Sequence, residues 1–425
     1  MIANPFLRDE IAFDLFRGLQ GIGAAANVPT AIGLLGSLFP PGKAKNYAFS
    51  TYAAGAPLGS IFGNLLGGII ASYASWKWVF GVNAALAIAV TAAGVFLIPP
   101  PLQKETTEKE FKSLVGSVDW FGGIVITSAI LALLFGLTEG NVVGWSTVWI
   151  YLLIVISLLL IGIFVAWQWY QETHTSRPPL MKVSLFKNKL FSVAMVIMAI
   201  FFATFNDFLI YATYFYQDFQ DIGPLQTTLR FLPTGITGII VAVIVSRLIS
   251  KVPTYMMLML GNFAVALACL LFAIPIPPDT SYFAYGLIAM ILSVVGADIT
   301  WPCLTLFVSE SVPREDQAIG GALVNACGQV GRAIGLAITT AVQTAVMAQA
   351  RGTPVEKSGK VEPWDTPSLL GMRAAQWLNF TLALLGVGIV GLAFRGTGIV
   401  GKVVHGPGRT GGEEGVMNEE RVGKE

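Results

Sequence analysis

The chain is expected to be an all-α integral membrane protein with about eleven transmembrane helices. Three observations carry this expectation. Of its 425 residues, 54% are hydrophobic and only 12% charged. That is about half the charge a soluble domain carries, too little to cover a water-facing surface. The apolar residues gather into runs of the length a helix needs to cross a bilayer core of about 30 Å. Finally, the basic residues between the runs favour alternate loops strongly. A formal net charge of +1 gives no basic face, so a nucleic-acid partner is not expected.

The runs fall at about 12–38, 48–72, 78–98, 118–137, 148–168, 190–216, 228–249, 254–273, 282–306, 318–345 and 374–394. Most are apolar on all sides, and in lipid only a helix of that length satisfies its own backbone polar groups. The loops after runs one, three, five, seven and nine, with Arg247 at the end of run seven, hold twelve lysines and arginines, from Lys43 to Arg314. The loops after runs two, four, six and eight hold one, Lys77. This asymmetry puts the first set and the C-terminus in the cytoplasm. Only the long loop after run ten departs from it, with Arg351, Lys357 and Lys360.

The polar stretches 99–117 and 169–189 divide the chain into three helices (1–98), a pair (118–168) and six helices (190–394). The first stretch reads as a cytoplasmic linker and the second as a cytoplasmic connector. A Gly-rich charged tail follows over 395–425 and is expected to be disordered. Gly23, Ala24, Pro29, Pro40 and Gly55 recur at a constant offset of 273 as Gly296, Ala297, Pro302, Pro313 and Gly328. Repeated transporter halves leave such a trace.

Polar side chains inside the runs are the candidate site. Arg17, Gln20, Gly21, Ala24 and Asn27 share one face of run one. An arginine at bilayer depth is costly unless it faces protein or water, so Arg17 is expected to line a cavity. The alternative is snorkelling from the helix end. Run two places Gly55, Gly59, Gly63 and Gly67 four residues apart, with Pro57 among them. The stripe invites close helix contact and the proline a kink, which suits a gating helix or plain static packing. In the C-terminal set, Asp207 shares a face with Tyr211 and Tyr214, and Asp298 with Trp301, Pro302 and Thr305. Arg332 lies on a face with Asn325 and Gln329 as a candidate counter-ion. Either acid could couple protons to a substrate; the competing reading is a structural Asp298–Arg332 pair. Phe205, Phe208, Tyr211 and Trp301 are candidates for an aromatic cavity wall.

Several chemistries find no residues. Cys269, Cys303 and Cys327 stand singly in apolar runs, and His174 and His405 lack ligand partners, so neither disulfides nor a metal is expected. No GxxxxGK[ST], HExxH or GxSxG occurs. No cofactor and no enzyme activity are expected.

RGLQGIGAAANVP (17–29) resembles the arginine-bearing fourth-helix motif of the major facilitator superfamily, and GAPLGSIFGNLLGG (55–68) its fifth-helix antiporter motif. SWKWVFGVN (75–83), VDWFGGIVI (118–126), LFGLTEG (134–140) and PLQTTLRFLP (224–233) are similar to the fourteen-span drug:proton antiporter branch, particularly its fungal members. Where that antiporter motif has Gly-Pro and Gly-Gly, this chain has Gly59-Ser60 and Gly63-Asn64. The resemblance implies that run one is the family's fourth helix, so that eleven spans are fourteen without the first three. It also implies proton-coupled export of small lipophilic or cationic compounds by a monomer in the plasma membrane, or else the vacuolar membrane. The alternatives are a truncated fragment that does not transport, and a carrier of a specific nutrient or ion such as an amino acid, siderophore, ammonium or borate.

Overall fold

The computed structural model describes residues 3–7, 9–38, 55, 59, 62–98, 116, 118–175, 177–249, 251–313 and 316–399. Regular structure among them is entirely helical. The helices are α1 (Glu10–Leu38), α2 (Phe62–Tyr73), α3 (Lys77–Leu97), α4 (Trp120–Val143), α5 (Val148–His174) and α6 (Lys189–Tyr214). They continue with α7 (Pro224–Leu248), α8 (Thr254–Ala273), α9 (Gly286–Ser311), α10 (Gln317–Arg351) and α11 (Thr366–Ala393). Among the described residues nine helices, α3 to α11, are long and apolar enough to cross a membrane. α1 is 29 residues long but carries Glu10, Asp14 and Arg17 in its first half.

The apolar runs predicted where helices lie but not where they end. α5 continues six residues beyond its run to His174, and α10 runs on to Arg351. Hydropathy marks the bilayer core, whereas helix ends are set by capping. Asn188 Oδ1 caps α6 by accepting from the N–H groups of Leu190 (3.1 Å) and Phe191 (3.4 Å). Asp365 Oδ2 caps α11 through Ser368 N at 3.2 Å, with Pro367 in the first turn. α10 stops at Gly352, whose φ of 65° is left-handed and suits glycine. The linker 99–117 lies outside the described residues apart from Gly116, and 400–425 lie wholly outside them. The start of the tail is held: Gly398 O accepts from Thr254 N (3.2 Å) and Oγ1 (3.1 Å).

Helices α6 to α11 pack as one bundle, with α9 on α8, α10 on α6, and α11 on both α8 and α10. Its interior has two apolar clusters, one around Phe191, Met198, Leu258 and Leu304, the other around Phe208, Tyr216, Phe219 and Phe272. Glycines set the closest approaches. A Cβ on Gly331 would collide with the Ala199 backbone, and one on Gly335 would lie 2.5 Å from Ala203 Cβ. α10 and α6 therefore meet backbone to backbone.

The pair α4–α5 docks on this bundle through α4 against α10. Its own tie is Asp119, which caps α4 through Gly122 N (2.9 Å) and accepts from Trp167 Nε1 (3.0 Å) and Gln168 Nε2 (2.6 Å) of α5. Lys182 in the connector pairs with Asp316, just before α10, at 2.6 Å. α1 meets α3 through rings, Phe13 lying edge-on to Phe80 at 5.7 Å. α2 leans on α7, where Ser72 Oγ accepts from Leu225 N at 3.0 Å and Gly68 lies against Thr228.

Candidate functional site

One face of the C-terminal bundle gathers part of the expected constellation. Trp301 of α9 is 42% exposed and stands edge-on to Phe202 of α6, ring centroids 6.3 Å apart. Phe202 in turn fills the space beside Gly328 of α10, where a Cβ would sit 3.0 Å from its ring. Gln329, the residue after Gly328, and Arg332, one turn along α10 from Gly328, are exposed, as is Asn325, whose Nδ2 donates to Gly321 O at 3.1 Å. Asp298 lies one turn from Trp301 and is half-buried, with an Oδ2 that has no hydrogen-bond partner among the described residues. Phe205 is half-buried and stacks on Phe201 at 5.8 Å. The Phe202–Trp301 contact and the packing of Phe202 against Gly328 thus bring α6, α9 and α10 together here, with Asp298, Asn325, Gln329 and Arg332 each within a turn of those contacts along its own helix.

Other candidates lie elsewhere. Phe208 and Tyr211, expected on a cavity wall, are wholly buried, Phe208 edge-on to Phe272 at 5.4 Å. Aromatics recur at helical spacing in core and cavity alike, so spacing could not separate them. Asp207 is also wholly buried, between α6, α10 and α11, where its Oδ2 accepts from Thr339 Oγ1 at 2.8 Å. Neither Asp207 nor Asp298 forms an ion pair among the described residues, so the Asp298–Arg332 pair of the competing reading is not among the contacts made there.

In the N-terminal helices Arg17 is exposed, donates from Nη1 to Gln20 Oε1 at 3.0 Å and sits 5.7 Å above the Phe80 ring. Asn27 is exposed on the same helix. The structure does not bring these groups to the C-terminal flank. Among the described residues, a Cβ placed on Gly55, Gly59, Gly63 or Gly67 would meet nothing within 4 Å, and Pro57 lies outside the described residues. The close contact of α2 falls one residue off that stripe, at Gly68.

Sequence reasoning missed the residues around Asp207. Thr339 and Gln343 of α10 and Gln376 and Asn379 of α11 are all buried polar groups. Their spacings, i and i+4 on α10 and i and i+3 on α11, put each pair on one helix face and were the available signal. A separate cleft of about 630 Å³ opens where α5 ends and α6 begins, lined by Gln171, Arg177, Lys182, Ser184 and Asp316. It includes none of the candidate residues.

The family model of the Major Facilitator Superfamily matches residues 9–138 and 120–336. The chain belongs to the major facilitator superfamily. It is an integral, multi-pass membrane protein of a family of transporters rather than of enzymes. It is 27% identical to the low affinity ammonium transporter of Saccharomyces cerevisiae, over 89% of this chain and 69% of that protein. It is 28% identical to efflux pump terJ of Aspergillus terreus, over 89% of this chain and 68% of the pump. Identity to the multidrug transporter mdr3 of Aspergillus fumigatus is 27%, over 91% of this chain and 62% of that protein. The chain thus spans about two-thirds of the length of these fungal superfamily relatives.

Proposed function

We propose that this protein acts as a secondary active transporter that exports small lipophilic or cationic compounds in exchange for protons, by alternating access. The observation that carries the reading is the Phe202–Trp301 contact between α6 and α9, with Asp298 one turn from Trp301, and Gln329 and Arg332 exposed within a turn of Gly328, against which Phe202 packs. Its rings offer contact to planar apolar solutes, and an unpartnered carboxylate oxygen offers a site for a cation or a proton. The names of two fungal relatives, an efflux pump and a multidrug transporter, support the same substrate class. Arg17, Gln20 and Asn27 would supply the opposing wall, and the α2–α7 contact at Gly68 would be a moving interface. The charge asymmetry of the loops supports a cytoplasmic C-terminus, and the plasma membrane is the proposed location. The working unit is proposed to be a monomer.

The test is export of a cationic dye from proteoliposomes holding an imposed proton gradient. Export should stop when an uncoupler is added and weaken in Asp298→Asn. Gradient-driven movement that ignores the uncoupler, or an unchanged pH dependence in both Asp298→Asn and Asp207→Asn, would overturn proton coupling. The yeast ammonium transporter supports a second reading, carriage of a small cation. Ammonium should then compete with the dye.

A further inference from the structure

Asp207 sits in two stacked tiers of polar side chains inside the C-terminal bundle. The first tier is Asp207, Thr339 and Asn379, one residue each from α6, α10 and α11. One turn along each helix come Tyr211, Gln343 and Gln376, with Tyr211 donating its hydroxyl to Gln343 Oε1 at 2.9 Å. All six are at most 6% exposed. Buried polar groups nearly always find partners, yet Asp207 Oδ1, Asn379 Nδ2 and both polar atoms of Gln376 have none among the described residues.

Thr339 makes the first tier a two-state arrangement. Its Oγ1 lies 2.8 Å from Asp207 Oδ2 and 3.3 Å from Asn379 Oδ1. Both are acceptors, and a hydroxyl has one proton to give. With Asp207 ionised, Thr339 turns its proton to the carboxylate and Asn379 Oδ1 loses its donor. When a proton from water binds Oδ2, the carboxylic acid becomes the donor to Thr339 Oγ1. The hydroxyl proton then turns to Asn379 Oδ1. Helix α11 thereby senses the charge on a residue of α6.

We propose that Asp207 is a proton-binding site enclosed within the C-terminal bundle, apart from the exposed flank, and that Thr339 relays its protonation state to Asn379. Its role in transport rests on the proton-coupled reading above; the site itself rests on the tier geometry. The groups facing Asp207 from its neighbours are Arg332 of α10, Cys269 of α8 and Tyr211 of its own helix, while Gln376 and Asn379 of α11 are neutral. No basic side chain locks the carboxylate in an ion pair among the described residues. A buried carboxyl so placed exchanges a proton at lower cost than one held by a cation.

Infrared difference spectroscopy of the purified 425-residue chain in lipid, stepped from acid to alkaline pH, tests this directly. A carboxylic C=O band should fade as pH rises and be lost in Asp207→Asn. It should move in frequency in Thr339→Val and return to its original position in Thr339→Ser. If Asp207→Asn does not fold, the Thr339→Val displacement assigns the band, because that variant exchanges only the hydroxyl for a methyl group. Identical bands in the wild type and Asp207→Asn would overturn the site. An unmoved band in Thr339→Val would overturn the relay. Loss of the band on adding sodium at fixed pH would make it a metal-cation site instead. Dye export is scored separately on the same variants. An intact band without export sinks the transport reading alone, and export without the band sinks the site alone.

Discussion

Asp207 Oδ2 and Thr339 Oγ1 meet at 2.8 Å across the α6–α10 interface, within one turn of Gly335, where a Cβ would lie 3.3 Å from the same carboxylate oxygen. The hydrogen bond depends on the glycine, because only a bare backbone lets the two helices come so close. Gly335→Ala should therefore lower the unfolding midpoint in detergent, at an overpacking cost of about 1–3 kcal/mol. Gly331→Ala should do the same, since its Cβ would meet backbone rather than a side chain that can turn aside. A thermal scan with unchanged midpoints for both would contradict the close approach.

The aromatic candidates should separate by experiment as they do in space. Trp301→Ala opens an exposed flank, so the expected result is a weaker apparent affinity for the exported dye by up to about tenfold, the worth of one aromatic pair. Phe208→Ala empties a fully buried position and should cost about 3–5 kcal/mol of stability. The dye preference of whatever protein remains folded should be unaltered. Dose–response curves beside melting curves check both, and a selectivity change in Phe208→Ala alone would reverse the assignment.

At the α2–α7 contact, Gly68→Val should abolish dye export while protein still reaches the membrane, because the added side chain runs into Thr228. Gly63→Ala and Gly67→Ala have open space around them and should export normally. The reverse pattern would return the gating role to the four-residue stripe.

Asp119 should make the helix pair acid-sensitive. Burial pushes its carboxyl up, but the hydrogen bonds from Gly122 N–H, Trp167 and Gln168 outweigh that and hold it below the usual carboxylate range. A lowered folded value means that the stabilisation is complete above the ordinary carboxylate range and fades as pH falls through the folded value. Asp119→Asn should flatten the acid limb of a stability–pH curve. Asp119→Ala, which strands the Gln168 and Trp167 donors, should cost about 1–3 kcal/mol at neutral pH. An acid limb identical to wild type in Asp119→Asn would refute the assignment.

Much of the fold was legible because a bilayer imposes a length rule on apolar runs. The nine described spanning helices all fall on runs counted from composition. Asp207 and Asp298 were legible for a related reason: a carboxylate amid apolar residues stands out by its cost. Thr339, Gln343, Gln376 and Asn379 did not stand out, since hydroxyl and amide groups are inexpensive enough to occur in any membrane helix. The stripe in run two lies on α2, whereas the close contact of that helix with α7 falls at Gly68. Its spacing recorded a face of α2, not which part of that face meets α7.

The chain's sequence alone determined the solvent the protein lives in, the positions of its helices along the chain and the rare charges those helices carry. Each follows from local transfer energies between water and lipid, summed over about 20 residues. Tertiary structure decided that Asp207 lies inside the bundle while Trp301 faces outward, and that Thr339 stands between two acceptors. Those outcomes depend on how far α10 can sink against α6. That distance is set by glycines and facing side chains far apart in the chain.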